Sequence, residues 1–176
     1  MDTDATSLSR GRALAQQRQL GQYVDFIEAE AAAWPGLADR VLCVGASHAF
    51  GGLEPALGAL AQVTAPGGRV LFGDGYWAST PTPAALAIFG DAIPTLPQLL
   101  DAARSAGWRV IHLSAADQRE WDDFEFTFRA GRQEWLLAHS DDPRAAEIRD
   151  WLDTREREYI HLYRGILGFA YLVLAR

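Results

Sequence analysis

The residues of this sequence best placed for chemistry sit where two apolar runs stop. His48 lies in Gly45-Ala46-Ser47-His48-Ala49-Phe50-Gly51-Gly52, directly after Val41-Leu42-Cys43-Val44. An imidazole titrates near neutrality, so His48 is a candidate general base for an acceptor that must lose a proton; the competing role is a histidine bonded to its own loop backbone. Tyr76 and Trp77 follow Val70-Leu71-Phe72 through Gly73-Asp74-Gly75, which reads as a sharp turn. Two rings there offer either an aromatic wall for a substrate or a cap on the core. His112, His139 and His161 form no pair with metal-ligand spacing, and Cys43 is the only cysteine. No metal site and no disulfide framework are therefore expected.

A strand-helix-strand unit, Arg40 to Trp77, must position these groups. Val41 to Val44 is a continuous apolar run, Leu53 to Val63 carries apolar residues at helical spacing, and Pro66-Gly67-Gly68 turns the chain into Val70 to Phe72. Continuous apolar strands suit a parallel sheet covered on both faces, and a crossover helix joins parallel neighbours. Ligands of such sheets bind beyond the carboxyl ends of the strands, so the loop after Val44 is the first candidate site wall.

This arrangement, with its Gly-Ala-Ser-His-Ala loop and Pro-Gly-Gly-Arg turn, resembles the middle of a class I S-adenosylmethionine-dependent methyltransferase of the small-molecule type. The resemblance implies an α/β fold, a Rossmann-like three-layer sandwich with a mostly parallel sheet ordered 3-2-1-4-5-7-6 and an antiparallel last strand. It also implies S-adenosyl-L-methionine as cofactor and methyl transfer to a small-molecule acceptor. Asp2, at the end of the second strand, would accept two hydrogen bonds from the ribose hydroxyls, with Asp4 as its substitute. Glu30 and Ala31, after the third strand, would face the adenine, and Val44, Gly45 and Ala46 complete the cofactor set. His48 would stand where the methyl group emerges, and Tyr76, Trp77 and Trp121 are the candidate substrate contacts.

The family's first strand and glycine-rich loop belong before Asp2 and do not occur in residues 1–176. The expectation is a single partial domain missing its first strand, a fragment from a misplaced start or a real truncation. It would bind cofactor poorly, be inactive by itself, and be prone to pair as a homodimer through unpaired strand edges.

The rest of the chain reads in order. Ser7 to Gly21 is helical and Tyr23 to Ile27 a short strand. Ala78 to Pro97 is a loop with a helical turn near Ala84 to Phe89, able to cover the pocket. Thr95 caps a helix through Ser105, and Trp108 to Leu113 is a strand. Residues 117–165 form a helical pair inserted before the last strand: Gln118 to Ala138, then Asp142 to Arg164 with Asp142 as N-cap and Pro143 at the first helical position. Their aromatic stripe reads mainly as core, with Trp121, Phe128 and Tyr159 as the rings able to reach a substrate. Ile166 to Leu174 is the closing strand.

Composition bounds the function. At 176 residues with 49% hydrophobic content the chain makes one domain with ample core, and a net charge of -7 offers no basic face to nucleic acid. Nothing in the sequence has the length of a membrane span or the pattern of a signal peptide, so a cytoplasmic protein is the default expectation. Two other classes compete. Gly45-Ala46-Ser47-His48-Ala49 approximates the nucleophile elbow of α/β-hydrolases, with Ser47 as nucleophile and His139 as a possible partner, although Ala49 replaces the final glycine. The other is a non-catalytic interaction domain that uses its exposed sheet edge.

Overall fold

The computed structural model describes residues 1–176. Helix α1 (Ala5–Gln17) starts at Asp4, whose carboxylate accepts hydrogen bonds from the Thr6 and Ser7 amides. Then follow β1 (Ala38–Val44), α2 (Leu53–Val63), β2 (Thr64–Trp77), α3 (Pro83–Phe89), α4 (Leu96–Ser105), β3 (Arg109–Ala115), α5 (Gln118–Ala138), α6 (Ala145–Glu158) and β4 (Leu167–Ala175). Short 3-10 turns at Ala31–Ala33 and Ser47–Phe50 flank β1. No helix is long and apolar enough to cross a membrane.

The four strands lie in the order β1-β2-β4-β3. β1 and β2 are parallel neighbours, with Val41 opposite Val70, Leu42 opposite Leu71 and Cys43 opposite Phe72. β4 runs antiparallel between β2 and β3. This is the 4-5-7-6 part of the order implied by the resemblance, and no strand lies against the outer edge of β1.

Four local expectations are corrected. Pro66-Gly67-Gly68 is an irregularity inside β2: the register passes from Ala38–Thr64 to Arg40–Arg69 and leaves Ala65 to Gly68 looped out, with Gly67 at φ 76°. Gly73-Asp74-Gly75 is no turn, because β4 pairs with β2 as far as Trp77. Tyr23 to Ile27 is no strand, because a ladder needs a partner and the only pairing nearby is a single parallel bridge, Asp2 to Glu28. Helix α6 starts at Ala145, not Asp142: the Asp142 carboxylate accepts the Arg144 amide and its carbonyl the Ala145 amide, closing a separate turn first. The helix then ends in a π turn, Tyr159–Tyr163.

Alternation decides the two faces of the sheet. Cys43, Val70, Phe72, Ala170, Leu172 and Leu174 point to one side and pack with Leu57 and Leu60 of α2 and Leu99 and Ala103 of α4. Trp108 closes this core, its indole N–H donating to the Leu57 carbonyl at 3.1 Å. Each fully buried Leu or Phe contributes roughly 1.5–3 kcal/mol. The opposite side carries Leu42 and Val44, 72% and 44% exposed, beside half-buried Phe169 and Tyr171.

Two glycines test this packing in opposite senses. Gly58 lies within α2 with open space where a Cβ would stand, whereas a Cβ on Gly168 would come 2.5 Å from the Tyr76 ring. Gly58→Ala is expected to raise the urea midpoint by about 0.5–1 kcal/mol equivalent. Gly168→Ala is expected to lower it by about 1–3 kcal/mol. Equal shifts of one sign would contradict this assignment of space.

Candidate functional site

A cleft of about 320 Å³ opens at the carboxyl end of β1. Val44 and Gly45 form one side, Phe169 and Tyr171 the floor, and Ala116, just before α5, with Glu120, Trp121 and Phe124 of its first two turns, the roof. Gly45 takes φ 64°, which lets the backbone leave the strand sharply while its N–H still donates to the Gly73 carbonyl at 2.8 Å. Gly73 is what admits the floor: a Cβ there would stand 2.8 Å from the Phe169 ring and 3.0 Å from the Val44 side chain. The roof starts at a capping box in which the Asp117 carboxylate accepts the Glu120 amide and the Glu120 carboxylate the Asp117 amide, both at 2.9 Å. The Trp121 indole N–H is buried and has no acceptor in the protein. An orphaned buried donor costs free energy, and this one is closed off from the cleft, whose wall is the ring and not its N–H.

Beside this cleft a groove of about 750 Å³ follows the unpaired edge of β1. Met1, Ile27, Ala31 and Trp34 form one wall, and Val41 to Val44, Ala46 and Phe50 line the other. Asp2 is tied to the far wall by its amide, which donates to the Ile27 carbonyl, and by its carbonyl, which accepts from Ala29, each at 3.1 Å. The turns Ala31–Ala33 and Ser47–Phe50 pack together. Three residues nominated as cofactor contacts, Ala31, Val44 and Ala46, thus share one groove, with Asp2 and Glu30 adjoining Met1 and Ala31. Gly45 lies in the neighbouring cleft, and Val44 lines both spaces. Asp25 is the one carboxylate in the groove's lining, and apolar walls with such an acceptor suit an adenosine, whose hydroxyls and amine are donors.

The other nominated residues fall differently. Asp4 is committed to capping α1 and its Ser7 hydroxyl bond, which with the cap amides holds its pKa below the ordinary value. His48 is exposed on the 3-10 turn, and its ring makes no hydrogen bond. Trp77 is buried with Ala85, Tyr159, Tyr163 and Leu167 and walls no cleft. Tyr76 packs on the main core, across Gly168. Tyr159 is 1% exposed and belongs to the same core as Trp77, while Phe128 is 52% exposed. The segment 78–97 packs through α3 on that second core rather than over the cleft.

Sequence reasoning missed Phe169, Tyr171, Glu120 and Phe124. The signal for the first two was present in the alternation of Phe169, Tyr171 and Val173 with Ala170, Leu172 and Leu174, but an uninterrupted apolar run hides which face is open. The hydrolase reading does not survive. Ser47 is not in the strained backbone of a nucleophile elbow, since the only non-glycine residue at positive φ is Gln19. His139 is stacked on Trp135 and bonded to its carbonyl at the far end of α5.

Polar ties hold the roof. Asp122 of α5 accepts two hydrogen bonds from the Arg164 guanidinium, both at 2.8 Å, and another from the Tyr159 hydroxyl. One turn on, buried Glu125 accepts from the Tyr163 hydroxyl at 2.6 Å. Arg164 first and Tyr159 second hold the Asp122 pKa far below the ordinary aspartate value. Burial, then the Asp122 bond, raises that of Tyr159.

No family model matches the chain. The uncharacterized protein YjhP of Escherichia coli is 33% identical over 181 residues, covering 97% of this chain and 73% of the relative. A SAM-dependent methyltransferase from Thiobacillus denitrificans, solved with S-adenosyl-L-homocysteine, superposes with a TM-score of 0.82 at 30% identity over 99% of this chain and 73% of its own. A SAM-dependent methyltransferase from Geobacter sulfurreducens, solved with the same ligand, gives 0.81 at 28% over 95% and 70%.

The Asp122 tie has a definite pH signature. Its folded-state pKa lies below the value near 3.9 of an unfolded aspartate, so it stabilises the fold at neutral pH and loses that contribution as pH falls below about 4. Asp122→Asn is expected to melt below the parent at pH 7, with the gap closing as the pH drops through that range. A gap constant with pH would show that the carboxylate charge is irrelevant to the roof.

Proposed function

The chain belongs to the S-adenosylmethionine-dependent methyltransferases, and on that premise we propose that the cleft at the end of β1 serves methyl transfer from S-adenosylmethionine to a small-molecule acceptor, with weak cofactor binding and little activity expected of residues 1–176 alone. The observation that carries this reading is Val44, which lines both the groove of nominated cofactor residues and the aromatic cleft, so that the two spaces meet at one strand end.

Bound in the groove, the cofactor supplies a methyl group on a sulfonium, open to in-line displacement. The chain's part is then mainly placement, which can account for much of the acceleration of such a step. Asp2 and Glu30 accept hydrogen bonds from the adenosine half, and Ala31, Val44 and Ala46 cover its apolar face. In the cleft, Phe169, Tyr171 and Phe124 exclude water and fix the plane of the acceptor. His48, on the loop that joins the two spaces and free of any internal partner, takes the proton where the acceptor must lose one.

Ligand-observed NMR tests the cofactor half, because it detects weak binding. Saturation transfer from the protein to the adenine protons of S-adenosylhomocysteine is expected, with a clear reduction in Glu30→Ala. No transfer at millimolar ligand would end the reading.

The base is tested by methyl transfer from labelled S-adenosylmethionine to a panel of small phenols and carboxylates. His48→Gln is expected to slow the phenols by about 10²–10⁴ and to leave the already ionised carboxylates nearly unchanged. Equal slowing of both would remove His48 from proton transfer.

A further inference from the structure

The methyl-transfer reading gives no role to Phe128 and Trp151, the outer part of a row of rings that starts in the cleft. Trp121, Phe124 and Phe128 share one face of α5, and Trp151 of α6 continues the row, with centroids 6.2, 6.4 and 6.3 Å apart in succession. Phe124, Phe128 and Trp151 are 62%, 52% and 41% exposed. Single exposed aromatic rings are ordinary, whereas a contiguous row marks a surface that meets something.

Both ends of the row say what that is. Trp121 and Phe124 are walls of the cleft, so the row begins inside the site. At the other end the Arg132 guanidinium lies 5.4 Å from the Phe128 ring centroid and 4.7 Å from that of Trp151. Arg132 is exposed and, unlike Arg129, Arg144, Arg155 and Arg164, has no carboxylate within ion-pair distance. From Trp121 to Arg132 the helix rises about 16 Å. A cation held on aromatic faces with its outward side free remains available to an anion.

Resting on the methyltransferase reading, we infer that the acceptor is an elongated, flat, apolar molecule, aromatic or conjugated, with an anionic group remote from the methyl-accepting atom. The reacting end sits between Phe169 and Trp121, the body stacks along Phe124, Phe128 and Trp151, and the anion meets Arg132. Continuity with the cleft favours a small molecule over a protein surface, which could not use the rings inside the site.

Fluorescence anisotropy of pyrenebutyrate and its neutral counterpart pyrenebutanol, titrated with the full chain, tests this. Phe128→Ala and Trp151→Ala are expected to weaken both probes by about three- to tenfold. Arg132→Gln is expected to weaken pyrenebutyrate to a similar degree and leave pyrenebutanol unchanged, with melting temperatures confirming that each variant is folded. Indifference of the probes to the ring variants, or an equal effect of Arg132→Gln on both, overturns the inference. So does conversion of a dimer to a monomer in sedimentation by the ring variants, which would make the row a protein interface. Saturation transfer to S-adenosylhomocysteine on the same samples separates the two failures: kept with indifferent probes, only the acceptor class falls; lost with sensitive probes, the methyl-transfer reading falls and the aromatic site stands.

Discussion

The antiparallel ladder between β2 and β4, from Arg69–Ala175 to Trp77–Leu167, is the constraint on which the site depends. It brings the last residues of the chain into the middle of the sheet and so decides what lies beneath the cleft. Two of its glycines lie under a ring: Gly168 under its cross-strand partner Tyr76 on the core face, and Gly73 under Phe169 on the open face. A ring lying over a glycine covers backbone that the glycine leaves bare, which makes a strand position of poor intrinsic propensity tolerable. The same absence of side chain at Gly73 makes room for Phe169 beside Val44. A side chain at Gly73 would displace Phe169 and fill the cleft from below, whereas one at Gly168 would crowd the core.

That ladder also explains how far the sequence could be read. Arg40 to Trp77 was legible as strand, helix and strand because each element is announced locally, by a continuous apolar run, helical spacing and a Pro-Gly-Gly break. Helix α5 was legible to its end residues, Gln118 and Ala138, for the same reason. Gly73-Asp74-Gly75 was not, because its local chemistry is that of a turn and only distant partners, Phe169 to Tyr171 on one side and Val44 beside Gly73 on the other, hold it extended. Trp77 then changes role with it: a ring after a turn would face a site, but a ring at a paired strand end falls into the core of Tyr159 and Tyr163. Tyr23 to Ile27 failed in the opposite sense, having the composition of a strand without a neighbour to complete a ladder.

The roof is held on different terms from the floor. The buried apolar contact between α5 and α6 is small, Leu136 with Ala145 and Leu152. Beyond it the two helices are joined by the half-exposed pair Phe128 and Trp151 and by buried charge: Glu125 and Arg129 are 2% and 1% exposed, with Arg155 3.9 Å from Glu125 and Glu156 3.7 Å from Arg129. Both terminal nitrogens of Arg129 lack a hydrogen bond, although its guanidinium lies 4.4 Å from the Phe126 ring centroid and its Nε donates to the Glu125 carbonyl. Buried pairs of this kind add little net stability, since desolvation offsets most of the attraction, but they penalise any packing that separates them. The network therefore sets the relative position of the two helices more than it strengthens their association.

Geometry and polar ties then act together at the cleft. The floor is part of a paired sheet and cannot move without breaking the ladder, whereas the roof is tied to it by the Ala116 amide, which donates to the Phe169 carbonyl at 2.8 Å, and further along by Arg164 and the π turn Tyr159–Tyr163, whose hydroxyls bond back to Asp122 and Glu125. A π turn leaves an irregular hydrogen-bond pattern at the point where α6 gives way to β4, a common place for a helix to be aimed rather than merely ended. Trp121 lies one residue before Asp122 and one turn before Glu125, so its indole is placed by the same bonds that fix the helix. Loosening those bonds would move the roof against a stationary floor, changing the width of the aromatic cleft while the groove along β1 kept its shape. The cleft and the groove are thus mechanically separable in this fold, although they share Val44.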